Sequence, residues 1–169
     1  MSAPEKYVLD ANVFIQAHQR FYSFDICPGY WNALLHHHSE NRICSVDKVR
    51  DELAAGGDIL WDWARETFGT DAFHDSAVAA QEFGGMASWV MAHPHYRPAA
   101  QSKFMSTADG WLAAFAKVQG QILVTLEESA AADTKKRVPL VNLCEAFGVQ
   151  TITPYEMLRR LGVRMTWAP

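Results

Sequence analysis

The sequence predicts an α/β fold: one domain, residues 1–169, built around a central, mostly parallel sheet. Three observations carry that expectation. Short apolar runs rich in strand-forming residues recur along the chain, as buried parallel strands do. Stretches with helical three- and four-residue spacing of apolar residues lie between them, the pattern of strand–helix–strand crossovers. No repeat, low-complexity segment or linker interrupts the alternation.

Composition sets the bounds. Charged residues make up 20% and apolar residues 49%, ordinary for a soluble globular domain large enough to bury a core. The formal charge of −4 excludes a generally basic nucleic-acid binder, so any nucleic acid must meet a local basic patch or a bound cation. Cys27, Cys44 and Cys144 are odd in number and far apart. They suit buried thiols in a reducing cytosol better than a disulfide frame or a zinc knuckle. The leader before Tyr7 is polar, and no apolar run reaches about 18 residues. A cytoplasmic protein without signal peptide or membrane segment is therefore expected.

Tyr7–Leu9 read as the first strand and Asn12 as the N-cap of the first helix, with Val13, Phe14 and Ala17 following. Asp10 then sits at the carboxyl end of the strand without capping duty, where open α/β sheets bind ligands. The plain alternative is that Asp10 itself is the cap. After an aromatic loop, Phe21 to Cys27, Pro28 opens a helix bearing Tyr30, Trp31, Leu34 and Leu35. His36, His37 and His38 near its end complement the helix dipole, since three consecutive helical residues cannot share one ion. Residues 42–45 form a second strand, and a helix from Val46 to about Leu53 turns Val46, Val49 and Leu53 inward, with Glu52 beside that face. The plain alternative for Glu52 is a pair with Lys48.

Residues 58–104 form an aromatic helical region, with helices over roughly 58–68 and 75–91. Gly84-Gly85 predicts a kink in the second, and His93-Pro94-His95 with Pro98 predict a loop. Trp61, Trp63, Phe68 and Phe73 are either core or an exposed partner-binding patch. Thr107 reads as the cap of the next helix, with Asp109 in its first turn, where an acid also favours the dipole. Residues 121–125 give a third strand ending in Leu126-Glu127-Glu128. The basic run Lys135-Lys136-Arg137 is either a solvated loop or an RNA-phosphate patch, with Arg97 and Lys103 as the alternative patch. Val138 to Val141 read as extended, Asn142 as the cap of a short helix stopped by Gly148, and residues 149–152 as the last strand. Thr153 and Pro154 open the final helix.

Asp10, Glu52, Asp109 and Glu127 thus stand at element ends that a parallel sheet with right-handed crossovers brings to one edge. Four carboxylates in one cleft repel one another, and a divalent cation relieves that repulsion. Such an ion can polarise a phosphodiester and activate water. No Gly-rich phosphate loop, Gly-x-Ser-x-Gly or His-Glu-x-x-His is present.

Four pieces in this order resemble the PIN-domain ribonucleases, and within them the toxins of type II (VapBC-like) toxin–antitoxin pairs. They are Val8-Leu9-Asp10-Ala11-Asn12-Val13-Phe14-Ile15, Val49-Arg50-Asp51-Glu52-Leu53, the run from Thr107-Ala108-Asp109-Gly110 to Ala116, and Leu123-Val124-Thr125-Leu126-Glu127. The resemblance implies a three-layer α/β/α fold and an RNA-cleaving site. It implies Mg²⁺ or Mn²⁺ held by Asp10, Glu52 and Asp109, with Glu127 as fourth acid. It also implies an antitoxin partner and a two-fold homodimer. Asn12 matches the polar position after the first acid; Thr125 and Glu128 are further polar candidates. The family more often has Asp followed by a basic or polar residue where this chain has Glu127-Glu128, which leaves open which glutamate faces the site. The stretch 58–104 is longer than in compact members. Two rivals remain. One is a non-catalytic PIN-like module binding RNA or protein. The other is an aspartyl phosphotransferase, whose usual second Asp is Asn12 here.

Overall fold

A computed structural model describes residues 2–169; Met1, at the head of the polar leader, lies outside them. Five parallel strands form one sheet: β1 (Tyr7–Leu9), β2 (Ile43–Val46), β3 (Phe73–His74), β4 (Ile122–Val124) and β5 (Thr151–Ile152). The strands β1, β2 and β4 are buried at every residue, which is why they read as unbroken apolar runs rather than alternating ones.

The strand order is β3-β2-β1-β4-β5. The chain winds outward from β1 to β3, then returns to β4 on the other side of β1. Crossovers of one hand must then leave β1 and β4 on opposite faces, opening a crevice at their carboxyl ends. Leu9 pairs with Val124, so the next residues, Asp10 and Thr125, emerge side by side at that crevice.

Helices cover both faces, giving three layers. One layer holds α1 (Ala11–Gln16), which continues as a π-helical turn Ala17–Phe21, α2 (Pro28–Ser39), α3 (Asp47–Gly56) and α4 (Ile59–Trp63), itself followed by a π-helical turn Ala64–Phe68. The rings of Phe14, Trp31, Trp63 and Phe68 interlock within it. The other layer is centred on α7 (Asp109–Gln119), which packs against α5 (Ala80–Met91), α6 (Pro98–Ser106) and α8 (Leu140–Ala146). The last helix is α9 (Pro154–Arg160), capped by Thr153 as expected. No described helix is long and apolar enough to cross a membrane.

Several local expectations are corrected. Asp10, not Asn12, caps α1: its backbone is extended, and its Oδ1 accepts from the Ala11 N–H at 2.7 Å. Thr107 ends α6 rather than starting α7, and its hydroxyl donates back to the Phe104 carbonyl. Asn142 lies inside α8, with its side chain bonded to both backbone groups of Ala130, and residues 140 and 141 are helical. Val46 closes β2 instead of opening α3. The two-residue β3 and the helix α6 stand where a loop or helix was expected. Pro98 is the first residue of α6, a position that needs no N–H donor. α5 runs through Gly84-Gly85 without interruption. Cys44 and Cys144 are buried and Cys27 is half-buried, all free. Phe68 and Phe73 are buried, and Trp61 and Trp63 are half-buried against the core, so of the two alternatives for these aromatics the packing layer is the one seen.

Gly110 fixes how closely α7 approaches its neighbours. A Cβ there would lie 2.6 Å from Phe104 Cζ and 2.8 Å from Phe83 Cε2. Gly110→Ala is therefore expected to destabilise the fold by about 1–3 kcal/mol in urea unfolding. Gly85→Ala, in a helix interior with open space around the new methyl, should instead be neutral or stabilising by up to about 1 kcal/mol. Equal effects at the two positions would contradict this packing account.

Candidate active site

The crevice at the β1–β4 junction is a cavity of about 590 Å³ whose lining includes Asp10, Asn12, Glu52, Asp109 and Glu127. All four predicted acids reach it from different elements. Asp10 caps α1 after β1, Glu52 comes from α3, Asp109 from the first turn of α7, and Glu127 from the loop after β4.

Thr125 is the hub of the polar network. Its hydroxyl donates to Asp10 Oδ2 at 2.8 Å and accepts from Asn12 Nδ2 at 3.1 Å and from the Glu127 N–H at 3.0 Å. Asn12 Oδ1 in turn accepts from the Leu126 N–H at 3.1 Å. Asn12 is free for this because Asp10 takes the cap. The two side chains therefore tie the start of α1 to the loop after β4.

Glu52 reaches across to the other layer, where its Oε1 accepts from the Ala108 N–H at 3.4 Å, just before α7. Lys48, its partner in the plain alternative, instead lies over the Trp111 ring, 5.5 Å from the centroid. Of the paired glutamates, Glu127 faces the cleft, while Glu128 is exposed and turned to a separate hollow beside Ser129 and Thr153. Glu127 also has structural work: Arg137 donates to its Oε1, and the Leu140 N–H at the start of α8 donates to its Oε2.

Of the basic run, Arg137 reaches the acids. Lys135 and Lys136 are exposed and do not line the cleft. Lys103 on α6, one of the alternative patch residues, joins Arg137, Thr107, Asp109 and Glu127 around a smaller adjoining cavity of about 180 Å³. Sequence reasoning missed the apolar side of the main cleft, formed by Ile15, Phe21 and Leu126, and the polar Gln16 beside it. The signal for it is the 12, 15, 16 spacing along α1, which fits a core face equally well.

Electrostatics follow from burial. Desolvation lifts Asp10 to about 6, opposed by the Thr125 and Ala11 hydrogen bonds and aided by the nearby Glu52 and Glu127. Desolvation, then the charges of Asp10, Glu127 and Glu52, lifts Asp109 to about 7, against a lowering pull from Lys103. Burial also raises Glu52, offset in part by Ala108. The Glu52 side chain as a whole stays largely in solvent, so its shift reflects only its carboxylate end.

Among the described residues no three His, Cys, Asp or Glu side chains form a ready-made metal cage. The donor chemistry nonetheless fits a hard divalent cation. The donors are all oxygens, the carboxyls of buried Asp10 and half-buried Asp109 repel one another, and each carboxylate oxygen of Asp10 that accepts one hydrogen bond retains a further lone pair. Asp10, Glu52 and Asp109 are the residues that would hold it, without displacing the ties of Glu127.

Residues 7–165 match a family model described as a domain of unknown function, DUF4411. The chain belongs to the DUF4411 family. No curated protein matches its sequence.

Without metal, the raised carboxyls predict a pH-dependent stability for this DUF4411 domain. Both Asp10 and Asp109 hold protons more tightly folded than unfolded, from ordinary values of 3.8. Their stabilising contribution is thus complete below about pH 4 and is lost as pH rises through about 6 and 7. In EDTA, urea stability relative to Asp109→Asn should fall across that window, and Mn²⁺ at pH 8 should recover it. A difference that is flat with pH would contradict the shared-cleft electrostatics.

Proposed function

We propose that this chain is a metal-dependent endoribonuclease of the PIN kind, hydrolysing RNA phosphodiesters at the β1–β4 crevice. The observation that carries the reading is the convergence of Asp10, Glu52, Asp109 and Glu127 on one cleft at the switch point of a parallel sheet, with two of the acids desolvated. Mg²⁺ or Mn²⁺ bound there would polarise the phosphodiester and lower the pKa of attacking water. The chain's own residues bring the rest. Thr125 orients the Asp10 carboxylate, and Glu127 holds Arg137 at the rim, where its guanidinium can meet a phosphate. The phosphotransferase rival finds no support at Asn12, whose amide is committed to Thr125 and Leu126 and cannot serve as acid or base.

The resemblance to toxins extends the proposal to the cell. An active ribonuclease needs masking, and a cognate antitoxin that sets a basic side chain among the acids would both neutralise and block the cleft. Self-association as a two-fold dimer belongs to the same resemblance.

Asp10→Asn is expected to abolish Mn²⁺-dependent RNA cleavage, read on gels as loss of 5′-phosphate-ended fragments, while circular dichroism stays that of a folded chain. Wild-type cleavage rates in that variant would sink the assignment. The rim cations give a separate test. Lys103→Ala with Arg137→Ala should weaken single-stranded RNA binding and reduce its log–log salt slope by roughly 0.7 for each phosphate left without its cation. The same pair of changes at Lys135 and Lys136 should do little. The opposite ranking would move the phosphate-binding cations to the exposed loop.

A further inference from the structure

The apolar end of the cleft is as definite as its acidic end. Ala11, Asn12, Ile15, Gln16 and Phe21 line it from one helix. In an α-helix the residue above Gln16 would be Arg20, four positions on. Here the helix widens to a π turn over Ala17–Phe21, closed by the Tyr22 N–H donating to the Ala17 carbonyl at 2.7 Å. The extra residue in the turn brings Phe21 onto the face of Gln16 and into the cavity shared with the acids.

Phe21 is also the odd aromatic of its loop. Tyr22 stacks on Tyr30 with centroids 4.8 Å apart, and its carbonyl accepts from Trp31 Nε1 at 2.6 Å. Phe24 packs against Trp31, Trp63 and His18. Phe21 has no ring partner among the described residues and is 50% exposed. Its backbone is thus held by anchored neighbours while its half-exposed ring lines a cavity of about 590 Å³, far larger than an ion needs and of the size that takes a nucleotide-like ligand.

We propose that Phe21 is a stacking platform for an RNA base close to the scissile phosphate, so that the substrate enters as an unpaired strand. The inference rests on the ribonuclease reading and names its substrate class. A base paired in a duplex has both faces covered and cannot lie on the ring; an unpaired one can, whatever its identity. Gln16 on the same face offers a donor and an acceptor to the base edge.

The test is equilibrium binding of a short single-stranded RNA carrying 2-aminopurine, with Ca²⁺ in place of Mn²⁺, to the full chain and to Phe21→Ala, Phe21→Leu and Phe21→Trp. Wild type and Phe21→Trp should quench the fluorescent base. Phe21→Ala and Phe21→Leu should lose the quench and bind about five- to a hundredfold more weakly. Phe21→Leu keeps the apolar volume, so a loss there reports the ring face and not the fold. Affinity for a duplex of the same sequence should not change among the variants. Unchanged single-strand affinity and quench in Phe21→Ala, or no binding of single strands by the wild type, overturns the platform. Cleavage of RNA with Mn²⁺ alongside an indifferent Phe21 rejects the stacking alone. Stacking by a chain that cuts no RNA rejects the ribonuclease reading instead.

Discussion

The hydrogen bond from Thr125 to Asp10 joins the two strands between which the sheet reverses its winding. It is short, buried and made by side chains 115 positions apart in sequence. Everything in the cleft is set relative to it. Because Thr125 also receives the Asn12 amide and the Glu127 N–H, one hydroxyl fixes the start of α1 and the loop after β4 together. The register of β1 on β4 brings the two residues level, so the strand pairing and the site are one constraint. Thr125→Val would keep the shape and remove the donor, leaving a buried carboxylate one partner short.

The fold accepts poor electrostatics here and gains a concentrated negative site. Asp10 is 7% exposed and carries only neutral donors, the Ala11 N–H and the Thr125 hydroxyl. Asp109 has the dipole of α7 in its favour, yet burial and three neighbouring acids outweigh it. A group lifted from 3.8 to about 7 takes up a proton more readily near neutrality, and a cation bound beside it would release that proton. The penalty is offset by a hydrophobic core that is continuous from β1 to α9.

Much of this was legible in sequence, and the failures have physical causes. The buried strands declared themselves because both faces are covered, which leaves no polar alternation to confuse the pattern. Asp10 and Glu127 were found because each follows a strand and Asp109 because it opens a helix, whereas Glu52, inside α3, was found only from its place beside that helix's buried face. The caps differ from expectation by one or two positions: Asp10 and Asn12 are both good N-caps and the end of β1 decides which is extended, whereas Thr107, a good cap by type, closes α6 and leaves Ala108, which has no capping side chain, ahead of α7. Asn142 looked like a cap because its real partners, the backbone groups of Ala130, lie 12 positions back across a loop. Strand β3 is two residues long, too short for any periodicity. The π turn that swings Phe21 into the cleft has no propensity signature at all; an α-helix through the same residues would have presented Arg20.

The charge distribution argues for order in how an anion could approach. A chain of net charge −4 with four carboxylates in one cleft repels RNA at long range. Attraction must therefore begin at short range, and the cations closest to the acids are Lys103 and Arg137, both bordering the adjoining cavity. Arg137 is held by Glu127, so its charge is fixed in position but partly neutralised. Cation binding among Asp10, Glu52 and Asp109 would lower the repulsion and leave Glu127 as the tether of Arg137. The fourth acid would then serve the phosphate through the arginine it positions, and the other three the ion. That division follows from hydrogen bonds already made: both oxygens of Glu127 are engaged by the loop and by α8, whereas the Asp109 side chain makes no hydrogen bond among the described residues.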